Sequence, residues 1–432
     1  MPDPAGPAKS NADPHLVVVG ASLAGLRAAE SARRSGFTGA ITLVGAEEHL
    51  PYDRPPLSKD FLTSAGEPAP TLLRDEAALR DDLGIGLMLG TTATALDIGR
   101  RVVVTDHGDV AFTSLVLATG ATPRTLPGAG SLRGVHVLRT LDDARAIRRA
   151  LDAGARTVVV GAGFIGSEIA SSARARGCEV TVVEALPTPL ARPVGETMGL
   201  VLASLHEKNG THLRVGVGVD GLEGDGDVRA VRLADGTSID AELVVVGIGV
   251  SPNISWLADS GLEIGDGVEC DAKLCTGVEG IYAAGDIARW HNPTFDVRMR
   301  LEHWTIAAEQ GGVAGRNAVD PAGAAAFETV PYFWSDWYGK RIQMVGVASG
   351  ADEIATVAGD IDGDTFVVLY RQGDRLLGAL ALEARSQVMK YRAMLAAGAS
   401  WEDALAFAKE RANNAAAKAV ALSSADGTSA PL

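Results

Sequence analysis

Two glycine-rich turns are the features of the sequence that most directly predict chemistry. The first follows an apolar run at 15–19, reads Gly-Ala-Ser-Leu-Ala-Gly over 20–25, and precedes an alanine-rich helical stretch. The second follows the run at 157–160 and reads Gly-Ala-Gly-Phe-Ile-Gly over 161–166. In a strand–turn–helix unit, such a turn lets backbone N–H groups and the helix N-terminus bind a pyrophosphate, so two copies predict two dinucleotide sites. Their candidate residues are Gly20, Ser22, Ala24 and Gly25 in the first copy, and Gly161, Gly163, Phe164, Ile165 and Gly166 in the second.

Acidic residues after the second strand of each unit predict which dinucleotide each turn binds. A carboxylate about 20 residues past the turn accepts hydrogen bonds from a ribose hydroxyl. Glu184 directly follows the strand at 179–183, and because it would repel a 2′-phosphate, NADH should be preferred over NADPH. Arg192 lies downstream and could weaken that preference. In the first copy Glu47 is the best equivalent, and the adjacent Glu48 is the alternative.

The elements around these turns alternate as parallel β-α-β units do. Short apolar runs at 114–118 and 243–246 each lead into a glycine turn, and a helix is predicted from about 302 to 317. Beyond about residue 330, alternating strands replace this pattern and are followed by a helical section around 386–409. This change predicts a separate α+β domain in the C-terminal part of the chain.

The composition is that of a globular protein with an excess of acidic residues. Its 39 Lys and Arg against 54 Asp and Glu give a net charge of −15, which argues against nucleic-acid or anionic-membrane binding. No apolar run approaches the roughly 18 residues that span a bilayer, and the opening segment lacks a signal-peptide pattern, so we expect a cytoplasmic protein. Residues 1–13 are predicted to be a disordered lead-in and 413–432 a mobile tail.

Cysteine and histidine usage argues against two further kinds of site. Cys178, Cys270 and Cys275 are too few for a disulfide framework and odd in number, which favours a reducing compartment. No cysteine cluster could hold an iron–sulfur centre. The 8 histidines show no ligand spacing, so no metal site is predicted.

Six motifs resemble, in order and spacing, those of one enzyme family. The most specific is Pro-Tyr-Asp-Arg-Pro-Pro-Leu-Ser-Lys at 51–59, which follows the first dinucleotide unit. The others lie at 117–124, 247–253, 283–287, 302–304 and 333–338. From about residue 15 to 411, the chain resembles the ferredoxin, rubredoxin and putidaredoxin reductases, FAD oxidoreductases that serve oxygenase systems.

The resemblance implies a fold and a reaction. The fold would be α/β, with two Rossmann-like dinucleotide-binding domains of the glutathione reductase type and a C-terminal α+β domain. An FAD-binding domain would comprise 14–122 and 256–329, an NAD-binding domain 123–255, and an interface domain 330–412. FAD would accept hydride from NADH and pass single electrons to an iron–sulfur protein, a ferredoxin or rubredoxin, that serves an oxygenase such as a cytochrome P450.

The resemblance also implies roles for individual residues. Lys59 would lie beside the reactive flavin nitrogen and pair with Glu168, so that the cation stabilises the anionic reduced flavin. Glu302 and Trp304 would lie near the nicotinamide and flavin, where an indole can stack on a planar ring. Asp286 would hydrogen-bond the flavin ribitol. Further expected FAD contacts are Arg54, Thr119, Gly120, Arg124 and Gly285, and further NAD contacts are Gly247, Ile248 and Gly249.

Two other reactions and one other kind of function compete with this prediction. Sibling disulfide reductases need a redox-active cysteine pair at about 51–62, where this chain has none, and we interpret Cys270 and Cys275 as incidental thiols. A flavin reductase that acts on quinones or oxygen remains an alternative. So does an NADH-gated interaction protein resembling apoptosis-inducing factor, although such proteins usually carry long insertions.

The partner is only partly defined by the sequence. Ferredoxins with [2Fe–2S], [3Fe–4S] or [4Fe–4S] clusters and rubredoxin all fit, and we expect a monomer or weak dimer. Trp337 departs from the polar residue of many relatives and is equally compatible with docking or with a core position. Arg298, Arg300, Arg316 and Arg341 are candidates for a basic rim that docks the partner.

Overall fold

The protein is described by a computed structural model of residues 13–426, in which 415–426 are described as backbone only. The chain divides into two compact units, and both are discontinuous in sequence. The first unit comprises 13–53, 69–122 and 250–328. The second comprises 54–68, 123–249 and 329–426.

The strands are short, from two to eight residues. The first nine are β1 (His15–Val19), β2 (Ala40–Val44), β3 (Ile85–Met88), β4 (Ala93–Asp97), β5 (Val102–Thr105), β6 (Gly108–Ala111), β7 (Ser114–Leu117), β8 (Ala121–Pro123) and β9 (Val135–His136). The next nine are β10 (Thr157–Val160), β11 (Val180–Glu184), β12 (His212–Val215), β13 (Val219–Asp225), β14 (Asp227–Leu233), β15 (Ser238–Asp240), β16 (Leu243–Val246), β17 (Val250–Pro252) and β18 (Ile264–Gly265). The last nine are β19 (Gly267–Cys270), β20 (Ile281–Ala283), β21 (Ala288–Asn292), β22 (Val297–Met299), β23 (Tyr332–Trp337), β24 (Lys340–Gly346), β25 (Glu353–Gly359), β26 (Phe366–Gln372) and β27 (Arg375–Leu382).

The α-helices of the described residues range from single turns to more than seven turns. They are α1 (Leu23–Arg34), α2 (Asp60–Thr63), α3 (Leu141–Asp152), α4 (Phe164–Ala175), α5 (Ala191–Val194), α6 (Glu196–Lys208), α7 (Trp304–Val319), α8 (Arg385–Ala396) and α9 (Trp401–Asp426).

A parallel sheet in the order β20-β7-β1-β2-β3 forms the centre of the first unit. β1 is buried from Leu16 to Val19, and continuous burial of this kind is typical of a parallel strand that is covered on both faces. Glycines let α1 and α7 approach each other closely. A Cβ added to Gly311 would lie 2.2 Å from the carbonyl oxygen of Ala24, and one added to Gly315 would lie 2.1 Å from that of Ala28. α7, which begins at Trp304 of the 302–304 motif, is thereby packed against the helix of the first glycine turn.

The second unit contains a parallel sheet in the order β12-β11-β10-β16-β9. It also contains an antiparallel sheet in the order β23-β24-β27-β26-β25. Large buried side chains of the antiparallel sheet, such as Trp337 and Phe366, share one apolar cluster with Val194 of α5 and Leu202 of α6. The α/β class, with two dinucleotide-type sheets and a C-terminal domain, confirms the predicted fold.

A two-residue turn joins β23 to β24 and places a bulky residue in the left-handed region. Tyr338 and Gly339 have φ of 53° and 76°, as a type I′ hairpin turn requires. A tyrosine is rarely found at positive φ. Hydrogen bonds compensate for this conformation, because the Tyr338 N–H donates to Ser171 Oγ at 2.7 Å and its hydroxyl contacts His206 Nδ1 at 2.8 Å and Thr211 Oγ1 at 2.9 Å.

The ends of the chain differ partly from expectation. The predicted helical section at 386–409 is two helices, because the chain turns between α8 and α9 at Gly398, whose φ is +70°. The segment at 413–432 continues α9 to residue 426, and its predicted mobility stays a prediction. The lead-in at 1–13, except residue 13, and the last six residues lie outside the described range. Within that range no helix is long and apolar enough to span a membrane, and no cluster of potential ligands could hold a metal ion.

We propose that the second unit comprises the predicted NAD-binding and C-terminal domains. Each of these contains its own five-stranded sheet, one parallel and one antiparallel. The predicted boundaries at 123, 255, 330 and 412 remain part of this proposal.

Candidate dinucleotide and electron-transfer site

The first glycine turn is closed by backbone contacts that only glycine permits. Gly20 has φ of +122°, and its N–H donates to Val44 O at 2.7 Å. A Cβ at Gly20 would lie 2.0 Å from Ala118 O, and one at Gly25 would lie 1.9 Å from Gly20 O. Ser22, between them, has an ordinary extended backbone and precedes the first turn of α1 as its N-cap residue. The turn therefore presents the N-terminus of α1 at the end of β1, as a pyrophosphate site requires.

The second glycine turn repeats this geometry. Gly161 has φ of +102° and donates its N–H to Val183 O at 2.7 Å. A Cβ at Gly166 would lie 2.1 Å from Gly161 O, whereas the nearest atom to a Cβ at Gly163 would be 4.0 Å away. Open space at the middle glycine, at the N-cap of α4, suits the approach of a phosphate.

The acidic residues of the two copies do not occupy equivalent positions. Val183 and Val44 are equivalent, because each accepts the N–H of the first turn glycine. Glu184 therefore corresponds to Gly45, and Glu47 comes two residues later in the loop after β2. The Glu184 carboxylate accepts backbone N–H groups of residues 162 and 186, both at 2.9 Å. Glu47 is half-buried and accepts the hydroxyl of Tyr52 at 2.5 Å.

Reciprocal hydrogen bonds join two of the family motifs in the first unit. Thr119 Oγ1 donates to the carbonyl oxygen of Asn253 at 2.7 Å, and Asn253 Nδ2 donates to the carbonyl oxygen of Thr119 at 3.0 Å. The Asn253 N–H also donates to Gly120 O at 2.9 Å. Asn253 thus holds the turn after β7 in place, at the same sheet edge as the first glycine turn.

The loop that carries Asp286 is held against α1 and α7. Gly285, at φ of +75°, comes so close to Ala24 that a Cβ would lie 3.2 Å from the alanine Cβ. The Gly285 N–H donates to Gln310 Oε1 at 2.9 Å. Gln310 is fully buried, and its Nε2 has no partner among the described residues. A buried donor without an acceptor beside this loop suits a polar ligand.

Trp304 is oriented by a residue of the 51–59 motif. Its indole Nε1 donates to Asp53 Oδ1 at 2.6 Å. Glu302 is exposed and pairs with Arg300 Nη1 at 2.6 Å. Arg300 also donates to the carbonyl oxygen of Asp286 at 2.9 Å, so it connects the 283–287 loop to the residue before His303. Burial lowers the pKa of His303 to about 4, so this histidine is neutral at physiological pH.

Lys59 and Glu168 form the ion pair that the resemblance implies. Lys59 Nζ lies 2.7 Å from Glu168 Oε2, and the two side chains are 18% and 3% exposed. The hydroxyls of Ser58 and Ser335 each lie 2.5 Å from one Glu168 oxygen, Ser58 from Oε2 and Ser335 from Oε1. Glu168 is the second residue after Gly166 and lies in α4, so the ion pair forms next to the second glycine turn.

The remaining predicted contacts described below all lie in the second unit. Arg54 Nη1 donates to the carbonyl oxygen of residue 139 at 2.6 Å, and the Arg124 N–H donates to Gly249 O at 2.9 Å. Gly247 lies close to the second glycine turn, because a Cβ added to Gly161 would be 2.4 Å from the carbonyl oxygen of Gly247. Ile165 and Ile248 are 48% and 38% exposed, and Arg192 is exposed on α5. Phe164 packs on Phe333, with ring centroids 4.6 Å apart.

Comparison with known proteins decides which family this arrangement represents. Residues 14–311 match the family model of the pyridine nucleotide-disulphide oxidoreductases, and residues 332–413 match that of the reductase C-terminal domain. The chain belongs to the pyridine nucleotide-disulphide oxidoreductase family.

Several of its relatives in that family are named as reductases of ferredoxins or similar redoxins. The chain is 38% identical to rhodocoxin reductase of Rhodococcus erythropolis, over 88% of this chain and 89% of that protein. It is 36% identical to putidaredoxin reductase of Pseudomonas putida, over 85% and 88%. A crystal structure of a covalent putidaredoxin reductase–putidaredoxin complex covers 89% of this chain and 93% of that chain, with a TM-score of 0.85 and 34% identity. The predicted resemblance is therefore confirmed, and such reductases use FAD and NAD(P)H.

This pyridine nucleotide-disulphide oxidoreductase has no disulfide among its cysteines. All three are free: Cys178 and Cys270 are buried, and Cys275 is partly buried. Burial raises the pKa of each thiol, so none is primed as a thiolate nucleophile. Cys270 Sγ contacts the carbonyl oxygen of Val268, as an ordinary thiol within a strand does.

Side-chain burial decides one open question about partner docking, at Trp337, and corrects one prediction, at Arg300. Trp337 is 1% exposed, so the docking interpretation is wrong and the core interpretation is confirmed. Arg300 is 9% exposed and paired with two carboxylates, so it is not part of an exposed basic rim. Arg298 and Arg341 are each paired with a carboxylate within 2.8 Å, while Arg316 is exposed on α7. The docking role of these three stays a prediction.

Sequence reasoning missed four residues that position the candidate site. Asp53 orients Trp304, Asn253 joins two motifs, Gln310 anchors the 283–287 loop, and Ser335 binds Glu168. Three of the four lie inside family motifs, and Gln310 lies on α7, the helix that begins at the 302–304 motif. Their polar side chains at fixed motif positions were the available signal, whereas their partners depend on the fold.

Proposed function

We propose that the protein is an NADH:ferredoxin oxidoreductase that reduces a small iron–sulfur protein. The observation that carries the proposal is the ion pair between Lys59 and the buried Glu168, a residue of the helix that follows the second glycine turn. A fixed cation there suits the stabilisation of an anionic reduced flavin. No cysteine stands at 51–62, so a route through a redox disulfide is not part of the proposal.

The chain's own residues fit FAD in the first unit. Gly20, Ser22 and Gly25 present the N-terminus of α1, and the Gly285 loop is held against the same helix. The unpartnered Nε2 of Gln310 is a buried donor that a polar cofactor group would satisfy. FAD, when bound, supplies the ability to accept a hydride and to release electrons one at a time.

The residues of the second unit fit NADH. The open space at Gly163 admits a pyrophosphate, and Glu184 offers a carboxylate to the ribose hydroxyls. Because Glu184 would repel a 2′-phosphate, the proposal includes a preference for NADH over NADPH. Exposed Ile165 and Ile248 provide apolar surface beside the glycine turn.

Electron transfer in this proposal needs no acid–base residue and no nucleophile. Lys59 supplies positive charge, and Glu168 holds its ammonium group in one position. The hydrogen bond to Asp53 fixes the plane of Trp304, which suits an indole that covers a planar ring. The protein therefore contributes orientation, charge and exclusion of water.

The partner is proposed from the names of the relatives, which include a rubredoxin reductase of Pseudomonas putida and a ferredoxin reductase component of a dioxygenase system. We propose a ferredoxin or rubredoxin that serves an oxygenase, and a monomer or weak dimer of the reductase. A location in the cytoplasm belongs to the same proposal and is supported by the three free cysteines.

The test is reduction of cytochrome c by NADH and the purified flavoprotein, with and without added ferredoxin or rubredoxin. A many-fold acceleration by one of these carriers supports the proposal. If NADH bleaches the flavin but no carrier accelerates turnover, the reaction with quinones or oxygen becomes the better assignment.

Lys59→Ala tests the observation that carries the proposal. It should retain FAD but slow flavin reduction by NADH by roughly tenfold or more, because a preorganised charge is lost. Lys208→Ala, on the exposed side of α6, is the matched control and should leave the stopped-flow reduction rate unchanged. An unchanged rate in Lys59→Ala would remove Lys59 from the site.

A further inference from the structure

A buried chain of hydrogen bonds extends from the Lys59–Glu168 pair into the antiparallel sheet. Trp337 Nε1 lies 2.7 Å from Ser335 Oγ, and Ser335 Oγ lies 2.5 Å from Glu168 Oε1. Ser335 is fully buried, and Trp337 is 1% exposed. The two residues are two positions apart on β23, so their side chains lie on the same face of the strand.

The chemistry of the donors fixes the direction of each hydrogen bond in this chain. An indole N–H can only donate, so Ser335 Oγ must accept from Trp337. The single hydroxyl proton of Ser335 is then donated to Glu168 Oε1. An ionised carboxylate can only accept, and its other oxygen receives the Ser58 hydroxyl at 2.5 Å and the Lys59 ammonium at 2.7 Å. The Trp337 N–H therefore occupies a lone pair of Ser335 Oγ and leaves the hydroxyl proton for Glu168.

The aromatic rings around Trp337 leave its indole N–H few other acceptors. Its ring lies 5.5 Å from that of His206 and 6.1 Å from that of Phe164. The two nitrogens of His206 are engaged by Ser167 Oγ at 3.1 Å and the Tyr338 hydroxyl at 2.8 Å. Ser335 is therefore the acceptor that the structure provides for the Trp337 N–H.

We propose that Trp337 is a positioning residue for the transfer of hydride from NADH to the flavin. Its indole N–H orients the Ser335 hydroxyl, which holds Glu168 and, through Glu168, the ammonium group of Lys59. The role of Lys59 rests on the proposed function, whereas the relay from Trp337 to Lys59 is a property of the second unit alone. A polar side chain of different shape at position 337 would require another way to orient Ser335.

The test uses Trp337→Phe, Ser335→Ala, the double variant and Ser335→Thr, each as the FAD-loaded protein. One readout is the stopped-flow rate of flavin reduction by NADH. The other is the rate at which an acylating reagent, N-hydroxysuccinimidyl acetate, modifies Lys59, followed by mass spectrometry. The labelling rate reports how tightly the Lys59 ammonium is held, and it does not depend on turnover.

Ser335→Ala should slow flavin reduction about tenfold, because a hydrogen bond to a buried charge is lost. It should also raise the Lys59 labelling rate several-fold. Trp337→Phe should change both readouts in the same direction. The double variant should have the same flavin-reduction rate and the same Lys59 labelling rate as Ser335→Ala, because both substitutions act through one hydroxyl. Ser335→Thr keeps a hydroxyl and should restore both readouts to near the wild-type values.

Trp401→Phe is the matched control, because it also removes a buried indole from the second unit. It should leave Lys59 labelling unchanged. An unchanged labelling rate in Ser335→Ala would overturn the proposal even if Trp337→Phe did not fold. The proposal would also be overturned if Trp337→Phe slowed flavin reduction in the Ser335→Ala background by as much as it does in the wild type. Trp337 would then act by packing and not through the Ser335 hydroxyl. If the wild-type flavin is not reduced by NADH, the proposed function fails, but labelling still decides the relay.

Discussion

The two glycine turns of this protein have the same backbone geometry but differ in the residues that would face a bound ligand. In both copies the first and third glycines are required by the protein itself, since an added Cβ would lie 1.9 to 2.4 Å from a carbonyl oxygen. The middle position is under no such constraint. It is Ser22 in one copy and Gly163 in the other, and both have extended backbones that any residue adopts.

This difference separates the glycines that form the turn from the one that admits a ligand. The copies also differ at the end of the second strand. Glu184 accepts a hydrogen bond from a backbone N–H of the second glycine turn, whereas the equivalent Gly45 has no side chain to do so. A Cβ at Gly45 would lie 2.4 Å from the Cβ of Ala21, so the first copy has no room for an acidic side chain there. The carboxylate of the first copy must therefore come from the following loop.

The largest expected effect is on the glycines that form the turn. Gly166→Ala should lower the free energy of unfolding by about 3 kcal/mol, because its Cβ would lie 2.1 Å from a backbone oxygen. Gly25→Ala should do the same in the first copy. Gly163→Ala is the matched control and should change stability by less than about 0.5 kcal/mol. Urea unfolding followed by circular dichroism measures all three, and equal stabilities would remove the distinction between the two kinds of glycine.

Acid should distinguish the helices of the two copies. The residue after the third glycine is the apolar Leu26 in α1, whereas in α4 it is Ser167, which bonds to His206. Burial lowers the pKa of His206 to about 4, so the unfolded chain binds a proton that the folded chain excludes. This residue should therefore contribute a loss of up to about 3 kcal/mol in unfolding free energy as the pH falls from about 6.5 to 4.

His206→Gln checks this expectation through the slope of unfolding free energy against pH. The slope should become shallower than in the wild type, even if the variant is less stable at neutral pH. His212→Asn, on the exposed strand β12, should keep the wild-type slope. A wild-type slope in His206→Gln would mean that other groups cause the acid sensitivity.

The strand-end difference is tested by Glu184→Ala. The ratio of kcat/KM for NADH to that for NADPH should fall about tenfold, because a hydrogen-bond acceptor for the ribose and a charge that repels the 2′-phosphate are both lost. Glu179→Ala changes an exposed acid just before β11 and should leave the ratio as it is. No change in Glu184→Ala would mean that Glu184 binds only its own backbone.

The smallest expected effect is that of Ser22→Gly, which gives the first turn the glycine pattern of the second. An N-cap serine replaced by glycine costs only a few tenths of a kcal/mol. The melting temperature of the FAD-loaded protein should therefore fall slightly, and the flavin should be retained through gel filtration. Release of the flavin would show that the serine side chain itself binds the cofactor.

Much of the fold could be predicted because its signals are local. The runs that became β1, β10 and β16 are apolar and end in glycine turns, so neighbouring residues alone indicate parallel strands. The ion pair of Lys59 with Glu168 followed from motif resemblance, and the structure contains it. The strand predictions needed no knowledge of which distant segments meet, whereas the ion pair joins residues 109 positions apart and was predicted from the family resemblance alone.

The remainder depends on contacts between distant parts of the chain. Ser335 and Glu168 are 167 positions apart, and Trp304 and Asp53 are 251 apart, so no local pattern could pair them. Arg300 was expected on an exposed rim. Its side chain is instead buried by contacts with Asp266, Glu302 and the carbonyl oxygen of Asp286, which no local pattern indicates. The division of the predicted last helix at Gly398 is of the same kind, since a glycine can either end a helix or remain inside one.

The order of the sheet β20-β7-β1-β2-β3 also has a consequence for synthesis. β20 pairs with β7, yet the whole of residues 123–249 lies between them in sequence. While the ribosome makes this intervening stretch, the hydrogen-bonding groups at the edge of β7 have no partner strand, and an unpaired edge is prone to aggregation. A nascent chain that stalls before residue 281 should therefore depend on chaperones, whereas one released after residue 328 carries the missing strand and α7 together.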